Sequence, residues 1–184
     1  PVAEVKKYIP EEGVYRFCTF SRVMREKGIT DAIEAIGKVN KHYGRNIVHL
    51  DVYGQVNRDY EEEFAELVRK NSDSVSYKGT VDSFSSVDTL KNYYALLFPT
   101  KWPGEGVPGT VIDAFASGIP VIATDWNANR EIIDNGQQGI VYPNEEIRTL
   151  DRAIMWAVEN GEKMYEMGVS AREKFEEYRP ERIY

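Results

Sequence analysis

Short apolar runs alternate with amphipathic stretches along the whole chain. The runs are residues 14–20, 47–53, 75–78, 95–98, 120–123 and 139–142, rich in Val, Ile, Leu, Phe and Tyr. Most are short apolar runs rather than strictly alternating ones, the mark of strands buried on both faces. Between them lie helical patterns. Ala32, Ile33, Ala35, Ile36 and Val39 form one apolar stripe, with Thr30 or Asp31 as its N-cap. Residues 60–70 form an acidic amphipathic helix, 87–94 a short one, 110–116 one of small and apolar residues, and 129–135 a brief one. Residues 147–160 and 162–177 are two terminal helices parted by Gly161. Strands alternating with helices predict an α/β fold: a Rossmann-like parallel sheet of about six strands with helices on both faces. Ligands bind such sheets at the carboxyl ends of the strands. The loops 21–28, 80–85, 100–109 and 125–130 all follow strands and are expected on one edge.

The stretch 105–124 organises the chain. Pro99, Pro103, Gly104, Gly106, Pro108 and Gly109 break all regular structure before it. A helix then runs to Ser117-Gly118, and 120–123 is a strand. Glu105 therefore lies in a loop that feeds a helix N-terminus, and Asp113 in the first turns of that helix. A helix N-terminus favours a phosphate through its unpaired N–H groups and partial positive charge. The pattern fits a ligand with an anionic part and neutral hydroxyls, such as a sugar nucleotide. Spacing alone fits equally well a solvated loop acid and an exposed helix acid.

Composition narrows the field. The chain has 184 residues and a net charge of −7, with both signs spread throughout. One domain, 1–184, accommodates it, and the lack of a basic stripe argues against a nucleic-acid partner. Cys18 is the single cysteine, set in an apolar run, and reads as a buried strand residue. With two histidines, His42 and His49, it cannot form a standard zinc site, and no acidic metal cluster is evident. No apolar run approaches the ~18 residues of a membrane span, which points to a cytoplasmic protein. The chain opens on Pro1 and ends at Tyr184, and both ends read as cut points, so a fragment of a longer protein is expected.

Six motifs stand in one order: Ser21-Arg-Val-Met-Arg-Glu-Lys-Gly28, Tyr77-Lys-Gly-Thr-Val81, Phe98-Pro-Thr100, Glu105 with Asp113, Ala116-Ser-Gly-Ile-Pro-Val-Ile-Ala-Thr124, and Glu131-Ile-Ile133. Together they closely resemble the C-terminal, donor-binding domain of the family 4 glycosyltransferases, retaining enzymes of the GT-B fold. The resemblance runs from about Tyr15 to Asn135.

The resemblance implies several roles. Arg22 and Lys27 correspond to the Arg and Lys that hold the donor diphosphate, where fixed cations stabilise the leaving group. Glu105 corresponds to the acid that contacts the donor sugar hydroxyls, and Asp113 to the acid that grips the ribose. The family usually has Glu at that second position, one methylene longer. Pro108 stands where the family often has Gly and carries no N–H, so amide donation falls to Val107, Gly109 or Thr110. Ser21 replaces a Gly. Thr80 and Val81 lie in the base-binding loop, and Glu131 matches a family Glu that reads equally as a helix-start acid. Trp102 and Trp126 flank the loops, as stacking rings or as packing anchors. The implied activity is metal-free transfer of a sugar from a nucleotide-diphosphate sugar, UDP first and GDP next, to a saccharide hydroxyl. No cofactor is implied. The acceptor, lipid-linked in many bacterial members, is taken by an N-terminal half outside this chain, and the whole enzyme is in some cases peripheral to the inner membrane face. Two other readings remain: a non-catalytic nucleotide-binding or interaction module of the same fold, and a sugar-nucleotide epimerase.

Overall fold

The six apolar runs form one sheet in the order β3-β2-β1-β4-β5-β6, with every neighbouring pair parallel. The strands are β1 (Tyr15–Phe20), β2 (Val48–Tyr53), β3 (Val75–Gly79), β4 (Ala95–Phe98), β5 (Val121–Thr124) and β6 (Gly139–Tyr142). The computed structural model describes residues 4–106 and 108–178, so the expected amide donor Val107 lies outside the described residues. Successive strand side chains point to opposite faces. Phe17, Leu50, Leu97, Ile122 and Ile140 fill one face against α1 (Ile29–Tyr43), α2 (Glu61–Lys70) and α6 (Leu150–Glu159). Cys18, Leu96, Phe98, Val121 and Ala123 fill the other against α3 (Ser86–Leu90), α4 (Gly109–Ser117) and the end of α7 (Gly161–Phe175). Both faces are covered over β4, β5 and β6, which is why these strands read as continuous apolar runs, whereas the edge strand β3 stays largely exposed. Cys18 is fully buried, and burial pushes its thiol well up. No helix among the described residues is long and apolar enough to cross a membrane.

Several boundaries differ from the sequence pattern, each for a local reason. Helix α1 starts at Ile29 with Gly28 as N-cap and no side-chain cap. The Thr30 hydroxyl instead meets the Tyr60 hydroxyl at 2.6 Å. Helix α3 ends at Leu90, short of the expected 94, because Tyr93 turns inward and its hydroxyl donates to Asp51 at 2.6 Å. Helix α5 (Asn129–Ile132) stops short of 135: Ile133 is extended, and the Asn135 side chain accepts the Val141 amide. Helix α6 begins at Leu150 rather than 147, since the Asn144 side chain holds the amides of Glu146 and Ile147 in a turn.

The strand order reverses between β1 and β4, the point at which parallel sheets open a ligand crevice. The loop after β1 contains one 3-10 turn, Arg25–Lys27, closed by Gly28 at φ 78°. A Cβ on Gly28 would stand 2.0 Å from the Pro99 carbonyl oxygen, and one on Gly54, at φ 130°, 1.8 Å from the Ser21 carbonyl oxygen. Only glycine allows both the left-handed backbone and the close approach. The loops that leave β1, β2 and β4 are thereby pressed together on the carboxyl edge.

Candidate functional site

The loops after β1 and β4 meet at this reversal. The Lys101 amide donates to the Glu26 carbonyl at 2.8 Å, which joins the two backbones. Lys27 Nζ then donates to Glu105 Oε2 at 2.7 Å. The two side chains are only 14% and 10% exposed, so water screens this pair far less than a surface pair. Thr100, fully buried just past the end of β4, donates its hydroxyl to the same Glu105 oxygen, also at 2.7 Å.

The Glu105 loop is fixed from the neighbouring strand as well. Thr124, at the end of β5, donates its hydroxyl to the Thr100 carbonyl at 2.5 Å. The Trp126 ring N–H donates to the Trp102 carbonyl at 2.9 Å. Asn127, in left-handed backbone at φ 46°, donates its side-chain amide to the Pro103 and Glu105 carbonyls. Trp126 is thus a packing anchor. Trp102 stays partly exposed and lies close against Gly104, where a Cβ would stand 2.7 Å from its ring nitrogen.

Helix α4 begins beside this loop. Its hydrogen bonds start with the Val111 amide to the Pro108 carbonyl at 3.1 Å, so the N–H groups of Gly109 and Thr110 precede the ladder. Among the described residues the buried Thr110 hydroxyl has no partner. Asp113, one turn on, accepts the Ser86 hydroxyl at 3.0 Å and so faces α3. Thr80 and Val81 follow β3 on the same edge, and Val81 packs partly buried against the Cys18 face. Asp82 closes the next turn by accepting the amides of Phe84 and Ser85, and Phe84 stands 95% exposed. Glu131 lies on α5, exposed.

Lys27 and Glu105 are therefore brought into contact, with Gly109 and Thr110 on the helix that follows. Arg22 is on the same edge but exposed, its Nε donating to the Asn57 side chain. Arg25 turns away to pair with Glu63 and covers the Tyr60 ring at 5.7 Å. Sequence reasoning missed Asn57, Ser86 and Asn127 as partners, since no motif marks them. Thr100 was visible only as the last residue of Phe98-Pro-Thr100.

The histidines lie elsewhere. His49 is at the start of β2, on the far edge, where its Nε2 meets Asp51 Oδ1 and Ser76 Oγ at 3.1 Å. Asp51 is buried, and burial acts to raise its pKa. Hydrogen bonds with His49, Tyr93 and Arg16, with the Arg16 charge, outweigh burial and hold the carboxyl well below the usual carboxylate range. His42 sits in the last turn of α1.

The arrangement can hold an anion with a cation and helix amides while a carboxylate beside them accepts hydroxyl protons. The D-rhamnosyltransferase WbpZ of Pseudomonas aeruginosa is 26% identical over 165 residues, 87% of this chain and 40% of its own length. The chain thus spans well under half of that curated relative. The crystal structure of Anabaena HepE in complex with UDP superposes with a TM-score of 0.77 at 18% identity, over 90% of this chain and 44% of that one. The C-terminal domain of LpcC, a glycosyl transferase group 1 family protein of Francisella tularensis, has a TM-score of 0.75 at 21% identity, over 94% and 89% of the two chains. These structures share the fold, a Rossmann-like half of the GT-B architecture. The family model "Glycosyl transferases group 1" matches residues 3–174, and the chain belongs to that family.

Proposed function

We propose that the chain is the donor-binding domain of a retaining, family 4 glycosyltransferase that takes its sugar from a nucleotide-diphosphate sugar. The observation that carries this reading is the shielded Lys27–Glu105 pair at the strand-order reversal, beside the N-terminus of α4. Three hydrogens sit on the Lys27 ammonium. One goes to Glu105, and the others are free to reach diphosphate oxygens, with Arg22 and the Gly109 and Thr110 amides completing the cradle. Val107, Thr80 and Val81 contribute backbone contacts to the phosphate and the base. Asp113 binds the ribose through the oxygen that Ser86 leaves free. Glu105 accepts a donor-sugar hydroxyl.

In the transfer, the bond from the anomeric carbon to the diphosphate oxygen breaks and its electron pair leaves on that oxygen. An acceptor hydroxyl oxygen bonds the same carbon with retained configuration, and its proton ends on the released nucleoside diphosphate. Lys27, Arg22 and the helix stabilise the growing negative charge, work that fixed dipoles and cations do well in a shielded site. The acceptor is a saccharide, held by a half of the enzyme outside these residues, and the full enzyme works in the cytoplasm at or near a membrane face. UDP is the first candidate nucleotide, as HepE was solved with UDP, and GDP the second.

Calorimetric titration of the chain with UDP, GDP and ADP, and with a sugar form of each, tests the proposal. One nucleoside diphosphate should bind, and Lys27→Ala should weaken it by about 1.5–3 kcal/mol, the range for hydrogen bonds to charged groups. No binding of any of them by the folded chain at millimolar concentration would remove the donor role.

A further inference from the structure

We propose that Thr100 is the positioning residue that decides which Glu105 oxygen meets the donor sugar, an inference that rests on the donor-site reading above. Thr100 is fully buried, and its carbonyl is tied to Thr124 at 2.5 Å, so its place is set by the sheet. Its hydroxyl makes two contacts. It accepts the Trp102 amide at 3.1 Å and donates to Glu105 Oε2 at 2.7 Å. A hydroxyl has one proton and two lone pairs. With the loop amide on a lone pair, the proton is left for Glu105.

Lys27 donates to that same oxygen. Two donors converge on Oε2, and among the described residues Oε1 has no hydrogen-bond partner. That is an unequal division of one carboxylate. Oε2 is filled by the protein and Oε1 is kept for a ligand hydroxyl. The Thr100 hydroxyl holds the carboxylate plane in this setting. Without it, only the Lys27 ammonium would orient Glu105. A flexible point charge can take both carboxylate oxygens at once. The carboxylate would then swing toward Lys27, and Oε1 would no longer face the sugar. The diphosphate contacts, made by other Lys27 hydrogens and by the helix, would change little.

The test compares Thr100→Val, which keeps the shape and loses the hydroxyl, with Thr100→Ser, which keeps the hydroxyl. Each variant and the wild-type chain are titrated with UDP, UDP-glucose, GDP and GDP-mannose. In Thr100→Val the preference for the sugar form over the free nucleotide should fall about tenfold, as for one lost charge-assisted bond. Affinity for the free nucleotide should stay within about threefold, and Thr100→Ser should restore the preference. A merely structural role would lower both affinities together or move only the melting temperature, and that pattern overturns the inference. So does an unchanged preference in Thr100→Val. If that variant does not fold, Thr100→Cys replaces it: a thiol is a weak donor, and a full wild-type preference there counts against the proposal.

A second readout needs no ligand. The Glu105 carboxyl-carbon resonance, assigned with Glu105→Gln in selectively labelled protein, should shift in Thr100→Val and hold its place in Thr100→Ser. An unmoved resonance in Thr100→Val overturns the orienting role. Wild-type protein that binds none of the four, nor ADP and an ADP-sugar, overturns the donor reading instead, while the resonance still decides whether Thr100 orients Glu105.

Discussion

Lys27 and Glu105 each depend on the other. Both are mostly shielded, and removing one partner of a shielded pair strands the remaining charge. Glu105→Gln therefore does more than delete the proposed sugar contact: it also frees Lys27 from its acid. We expect affinity for the free nucleoside diphosphate to hold or rise slightly, while affinity for the intact sugar nucleotide falls by about 1–3 kcal/mol. Loss of diphosphate binding with sugar preference intact would mean the donor lies reversed in its cleft. Asp113 poses a separate question, since its carboxylate already receives Ser86. UDP should bind about tenfold tighter than its 2′,3′-dideoxy analogue if the remaining oxygen takes the ribose. Equal affinity would leave Asp113 only the α3–α4 contact. Asp51 carries a prediction about pH. Its folded pKa is depressed, so its stabilisation is present above the unfolded carboxylate value of about 3.9 and is lost as pH falls through the folded value. Urea unfolding at steps from pH 6 down to pH 3 should show stability decline with acid, and Asp51→Asn should flatten that decline at a lower overall stability.

The loop after β1 works as an element because glycine lets it lie against its neighbours. Gly28 meets the Pro99 carbonyl on the chain segment that leads to Thr100 and Glu105. Gly28→Ala adds a methyl at φ 78° and drives it into backbone that cannot rotate away. We expect a loss of at least about 2 kcal/mol in denaturant unfolding, from left-handed strain plus the clash. Gly44 has a similar φ of 70° and nothing within 4 Å of a built Cβ, so Gly44→Ala should cost only the conformational part, about 1 kcal/mol. Equal losses at the two positions would show that the loop contact is not tight. The comparison also marks what the sequence made legible. Strands and their order of occurrence could be read because most strands, β4 and β5 above all, are apolar on both faces, a pattern local to a few residues. Helix ends were less legible. Thr30 looks like a cap but bonds Tyr60, and the chain after Leu90 looks helical but is pulled in by Asp51, both through partners distant in sequence. The site was legible only in part for the same reason. Lys27 and Glu105 stand 78 residues apart, and spacing cannot tell that their tips meet. The Phe98-Pro-Thr100 motif held Thr100 in plain view, but its role comes from a loop five residues on that folds back over it.

At the scale of the whole molecule, the proposed chemistry occupies one edge of one sheet. The residues proposed to bind the donor come from the loops after β1, β3 and β4 and from α4, all within this chain. Donor binding should therefore be a property of these 184 residues, whereas sugar transfer needs an acceptor held above that edge. Ligand that binds only the folded state raises its stability by RT ln(1 + [L]/Kd), about 2.7 kcal/mol at a hundredfold excess over Kd. For a domain of this size each kcal/mol moves the melting temperature by roughly 2–4 °C, so saturating nucleoside diphosphate should raise it by roughly 5–10 °C. The net charge of −7 works against an anionic ligand at long range. Contact with Lys27 and Arg22 must exceed that repulsion, and Lys27→Ala should abolish most of the thermal shift while leaving the unliganded fold in place. With the sugar nucleotide the chain should show the same shift but no transfer to added saccharide above the rate of spontaneous hydrolysis. Transfer by the chain alone would place the acceptor site within these residues. A shift that survives Lys27→Ala undiminished would move the diphosphate away from the β1–β4 crevice altogether.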